Sequence, residues 1–150
     1  MTPSPASHDG RREPTRLPVG RVAAEPDAIA PDGSDIRLLA GEAHGARRAS
    51  LCEVRLAPGA VSRPVAHRTV EEIWHVIAGR GQVWRCPSAG SDDPIDVGPG
   101  DTLVIPVGWS FQFRAAPDAA LAFLCYATPP WPGADEARPA GPGALGRPTV

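Results

Sequence analysis

A chain of 150 residues with a formal net charge of −2 is long enough to bury one core and short for two ordinary domains. Its mixed charges lack the basic surplus that nucleic-acid binding requires. All 15 basic residues are arginine and asparagine is absent, which removes lysine Schiff-base and general-base chemistry and N-linked glycosylation.

The opening stretch, MTPSPASHDGRREPTRLP, has no apolar run of the kind a secretion leader needs, and no later stretch approaches membrane-spanning length. The expectation is a cytoplasmic chain without a membrane partner. Six of the 19 prolines fall before residue 35 and six more after residue 126. Such composition buries too little apolar surface to offset chain ordering. Residues 1–34 are therefore read as a mostly disordered arm, 35–128 as a folded domain, and 129–150 as a Pro-rich tail, loose from about residue 135. Within the tail, Trp131 between prolines leaves two readings open: a solvated extension, or a stiff segment folded back onto an apolar surface.

Between the tails, the runs IRLLAG, SLCEVRLA, EEIWHVIAG, GQVWRC, DTLVIP, SFQFR and ALAFLCYA are each of strand length, divided by turn signals such as APG, GRG and VGPGD. Cys52, Val54 and Leu56 alternate with Glu53 and Arg55 at the two-residue period of a half-buried strand. No helical period is sustained. The pattern predicts an all-β sandwich or small barrel. The three cysteines, Cys52, Cys86 and Cys125, are odd in number and form no CxxC pair, so buried reduced thiols are expected.

Two short motifs carry a family resemblance. His67, Glu72 and Gly79 stand in the spacing H-x4-E-x6-G, and Gly100, Pro106 and Gly108 in the spacing G-x5-P-x-G. Over about residues 50–126 the chain resembles the cupins, which implies a single antiparallel jelly-roll barrel with disordered or extended tails. The resemblance also implies a metal held by three histidines and one glutamate. Here the first and third histidine positions are Val65 and Phe111, and the final asparagine position is Ala115. Only His67 and Glu72 of that ligand set remain, and two donors are too few for a usual transition-metal site. No metal is expected; if one binds, His67 and Glu72 hold it.

Strand alternation puts Glu72 and Trp74 on one face and Ile73, His75 and Ile77 on the other. With Trp84, Trp109, Phe111 and Phe113, Trp74 forms an expected aromatic pocket around His67 and Glu72. The other reading is that the same rings fill a small barrel as ordinary packing. The leading expectation is a small organic ligand in that pocket. The alternative is an enzyme, either a metal-dependent dioxygenase or isomerase, or a metal-free isomerase or epimerase using His67 and Glu72 as acid and base, with Tyr126 as a further candidate. Glu72 in an apolar interior either gains protonation by desolvation or pairs with a charged His67. Arginines at 47, 48, 63, 68, 80 and 85 could gather at a rim for an anion, although scattered surface arginines are commonplace. A homodimer through Ile73, His75 and Ile77 is expected, since an open jelly roll leaves edges and faces to protect.

Overall fold

The alternation of inward and outward residues becomes a sandwich of two antiparallel sheets in the computed structural model, which describes residues 16–87 and 92–150. Strands β1 (Ala28–Ile29), β2 (Asp35–Ala40), β3 (Ser50–Leu56), β4 (Val65–His67), β5 (Glu71–Ala78) and β6 (Gly81–Cys86) are followed by β7 (Ile95–Val97), β8 (Thr102–Ile105), β9 (Ser110–Ala115), β10 (Leu121–Thr128) and β11 (Ala137–Pro139). One sheet runs β1-β2-β3-β10-β5-β8 and the other β11-β4-β9-β6-β7. This is the expected jelly roll. No helix among the described residues is long and apolar enough to cross a membrane.

The core lies between the sheets. Trp74 stacks on Phe123 with centroids 4.3 Å apart and meets Phe111 and Phe113 edge-on at 5.3 and 5.2 Å, the offset and T-shaped geometries that ring quadrupoles favour. Gly79, the glycine of the first motif, turns β5 into β6 with φ of 75°, and a Cβ there would meet the Ala120 carbonyl oxygen at 1.7 Å. Only glycine fits that turn.

The reading of the tail as loose is corrected. β11 pairs with β4, Ala137 opposite His67. Beyond it the chain crosses the outer face of the five-stranded sheet. There the fully buried Gln112 amide donates to the Ser62 and Gly146 carbonyls at 3.0 and 2.9 Å and accepts from the Leu145 N–H at 2.9 Å. Thr149 and Val61 exchange two hydrogen bonds of 2.9 Å. The tail's few apolar residues are spaced to meet prepared sites, so the average composition understates its packing. At the other end, residues 16–34 include β1 and a turn at 30–34 that holds Asp32 and Ser34 buried. The arm expected for residues 1–15 lies outside the described residues.

Candidate functional site

A cavity of about 350 Å³ lies between the sheets at the end bounded by β2, β3, β4, β5 and β10. Its wall is largely apolar, including Val54, Val65, Trp74, Phe123, Ala127 and Trp131, and exposed Ile29 and Leu38 stand at its mouth. Trp131 therefore folds back: its indole meets the His67 ring edge-on at 5.0 Å, while Phe111 meets His67 from another side at 5.0 Å.

His67 ends β4 and Glu72 opens the inward face of β5, and both are buried. The His67 Nδ1 and Glu72 Oε1 atoms stand 3.8 Å apart, beyond hydrogen-bond reach. Burial lowers the His67 pKa from 6.5 to about 4 against the opposing pull of Glu136. Burial raises Glu72 from 4.5 to about 7, reinforced by Asp32 and opposed by hydrogen bonds from Trp74 and Cys125. Between those values the two groups face each other neutral, so of the two sequence readings desolvation prevails over the ion pair. The Trp74 Nε1–H donates to Glu72 Oε2 at 2.7 Å. His67 Nδ1 is buried and has no hydrogen-bond partner.

Two carboxylates that the sequence reasoning missed flank this pair. Asp32 accepts the Ser34 N–H at 2.9 Å and its hydroxyl at 2.6 Å, and burial nevertheless raises its pKa. Glu136 accepts the Val70 N–H at 2.6 Å and the Thr69 hydroxyl at 2.9 Å. Burial would raise Glu136, but the Thr69 and Val70 hydrogen bonds and nearby His67 hold it low. The Asp-Gly-Ser turn was a visible signal for the first. Glu136 had none, because its role depends on the tail returning to β4.

Of the expected pocket residues, His67, Glu72 and Trp74 line the cavity. Phe111 and Phe113 point inward but pack behind Trp74 as core, outside the cavity wall. Trp84 sits opposite Gln112 on the outer face of its sheet, packed with Val61, Cys86 and Leu145 under the tail. Trp109 precedes β9 in the turn whose N–H returns to the Pro106 carbonyl, so the strand's alternation does not reach it. Tyr126 is exposed on the outer face, and none of the arginines lines the cavity. Arg80 instead pairs with Asp118 at 3.0 Å.

A metal does not fit these donors. Val65 and Phe111, directly paired across β4 and β9, bring only carbon to the two missing ligand positions. Among the described residues no three His, Cys, Asp or Glu side chains converge to hold an ion, and the Glu72 carboxyl is already engaged by the Trp74 indole.

Comparison with known proteins supplies the family. The family model described as "Cupin domain" matches residues 52–126. The polyketide cyclase RemF from Streptomyces resistomycificus is 26% identical, over 87% of this chain and 84% of that one, with a TM-score of 0.61. An oxalate decarboxylase from Lactobacillus farciminis, solved with formate, is 18% identical over 85% of this chain and 37% of its own, with a TM-score of 0.67. The coconut allergen cocosin is 21% identical over 70% of this chain, which spans only 28% of that protein, with a TM-score of 0.61. No curated protein sequence matches the chain.

Proposed function

The chain belongs to the cupin domain family, and on that premise we propose that it binds a small, largely apolar organic molecule in the cavity, with His67 and Glu72 meeting the molecule's polar end. The observation that carries this reading is the buried His67 Nδ1 without a protein partner. Leaving such an atom unpaired costs ~1–3 kcal/mol, and a ligand oxygen beside Glu72 recovers it. Because imidazole and carboxyl are both neutral from about pH 4 to 7, the group they suit is an uncharged hydroxyl or carbonyl rather than an anion. The likeness to a polyketide cyclase makes hydroxylated aromatic polyketides the first compounds to try.

The test is calorimetric titration with a panel of planar hydroxyaromatic ketones. Binding is expected, and His67→Phe should weaken it about tenfold, the worth of ~1.4 kcal/mol for the recovered hydrogen bond. Failure of the whole panel, or affinities untouched by His67→Phe, would sink the proposal.

A second reading rests on the same pair. A protonated Glu72 beside a neutral His67 is the acid-and-base arrangement of a metal-free isomerase or cyclase. Conversion of a bound panel compound, lost in Glu72→Gln with binding retained, would decide for it.

The partner we propose is a second copy of the chain. Leu51, Tyr126, Ile73 and Val104 form a cross-strand row on the outer face of the six-stranded sheet, with Ile73, Val104 and Tyr126 about two-fifths exposed. A symmetric dimer would bury such a row. His75, on the same face, hydrogen-bonds the Thr102 hydroxyl at 2.7 Å.

A further inference from the structure

The cavity wall holds a pair of groups that ligand binding does not use. Cys52 on β3 stands directly opposite Cys125 on β10, and both line the cavity. The pairs below them, Val54 with Phe123 and Leu56 with Leu121, face the core together, so the two thiols share the inward face. Residues directly opposed in an antiparallel ladder have Cα atoms about 4.5 or 5.5 Å apart, and either spacing lies within the range of about 4.4–6.8 Å that a disulfide spans. The two thiols neighbour each other, and Cys125 also lies beside the Glu72 carboxyl. Both cysteines are free, Cys125 buried and Cys52 only half-buried, beside a cavity that opens past Ile29 and Leu38. Cys86 lies on the far side of the other sheet.

We propose that Cys52 and Cys125 are a reversible redox pair, converted by hydrogen peroxide from two thiols into one disulfide across the cavity wall. Cys52, the more accessible, reacts first. Its sulfur attacks the peroxide, the O–O bond breaks, and the departing hydroxide takes the thiol proton, leaving a sulfenic acid and water. The Cys125 sulfur then attacks the Cys52 sulfur. The S–S bond forms as the S–O bond breaks, and the Cys125 proton passes by way of the Glu72 carboxyl to the leaving hydroxide as a second water. Two thiols lose two electrons in all, and one peroxide gains them. The neighbouring Cys52 thiol and burial keep Cys125 protonated at rest, so Cys125 serves as the resolving partner rather than the first nucleophile. Once the bond closes, Glu72 has a disulfide rather than a thiol beside it, which ties the state of the pair to the site.

The test treats the folded full chain with hydrogen peroxide, blocks remaining thiols with N-ethylmaleimide, and maps peptides without reduction. Two of the three thiols should disappear together, with the Cys52 peptide linked to the Cys125 peptide, and dithiothreitol should restore both. Cys86→Ser should leave this unchanged. In Cys125→Ser the cross-link should be replaced by a Cys52 sulfenic acid that dimedone traps, and in Cys52→Ser the Cys125 thiol should survive. A link involving Cys86 or another chain, direct passage of Cys52 to the sulfinic acid, or resistance of all thiols to peroxide would overturn the proposal.

Discussion

The two faces of the six-stranded sheet carry opposite anomalies. Its inner face is apolar except for Ser50, Glu72, Cys52 and Cys125, which share the cavity with His67 of the facing sheet, whereas its outer face carries the partly exposed row Leu51, Tyr126, Ile73 and Val104. Strands β5 and β8 alternate regularly, and the sheet's register shifts lie at Leu38/Ala40 and Ala122/Phe123, so on β5 neither anomaly is an error of register. Buried polar groups and exposed apolar patches are the informative departures from ordinary burial. In this sheet they lie back to back on β5: Glu72 and Trp74 face the cavity, and Ile73 between them faces outward.

The strongest way to break the contrast is to empty the inner face. Phe123 is 1% exposed and stacked on Trp74, so Phe123→Ala should cost about 3–5 kcal/mol, read as a lower urea midpoint. A loss below about 1 kcal/mol would mean that the cavity end is not braced by these rings.

The polar pair gives a smaller and more specific signal. Glu72 releases its proton near pH 7 in the fold and near 4.5 when exposed, so its contribution to stability is full below about 4.5 and lost as pH rises through about 7. His67 takes up its proton near 4 in the fold and near 6.5 when exposed, so its contribution is full above about 6.5 and lost as pH falls through about 4. Across pH 4.5–6.5 the two slopes oppose, and the wild-type pair should add little net pH dependence. Glu72→Gln should uncover stability that climbs with pH from about 4 to 6.5, and His67→Phe stability that falls with pH from about 4.5 to 7, each on the order of 2–3 kcal/mol. Denaturant titrations at several pH values test this. Parallel profiles for both variants would contradict the neutral pairing.

The outer face should respond least in stability and most in assembly. Ile73→Glu should change folding free energy by less than about 1 kcal/mol, yet reduce the solution mass from two chains to one in sedimentation velocity. A wild-type monomer at all concentrations would remove the proposed role of this face.

Sequence carried the framework further than the site. On β5 the alternation of Glu72, Trp74 and Val76 with Ile73, His75 and Ile77 was readable because one face is wholly apolar beyond the glutamate. The phase of β6 was not, since Val83, Trp84 and Cys86 are all buried: Val83 under one sheet face, the other two under a tail whose return no local pattern announces. Asp32 reaches the site from a turn and Glu136 from a single 3-10 turn, Ala134–Glu136, both too short for a periodicity to read. The Cys52–Cys125 opposition depends on the β3–β10 register, a relation between segments about seventy residues apart that spacing alone does not encode.

The anchoring of Thr69 and Val70 by Glu136 has a consequence for biosynthesis. The loop that follows His67 takes its hydrogen-bond acceptor from a residue translated much later, and Ala137 supplies the neighbouring strand. A nascent chain halted near residue 128 would carry every strand but β11 and expose β4 as an open edge, with two backbone donors and one hydroxyl donor unmet. Ribosome-bound intermediates of this protein should therefore engage holdase chaperones until the last segment emerges, and carboxy-terminal truncations should aggregate even though β11 is the only strand they remove.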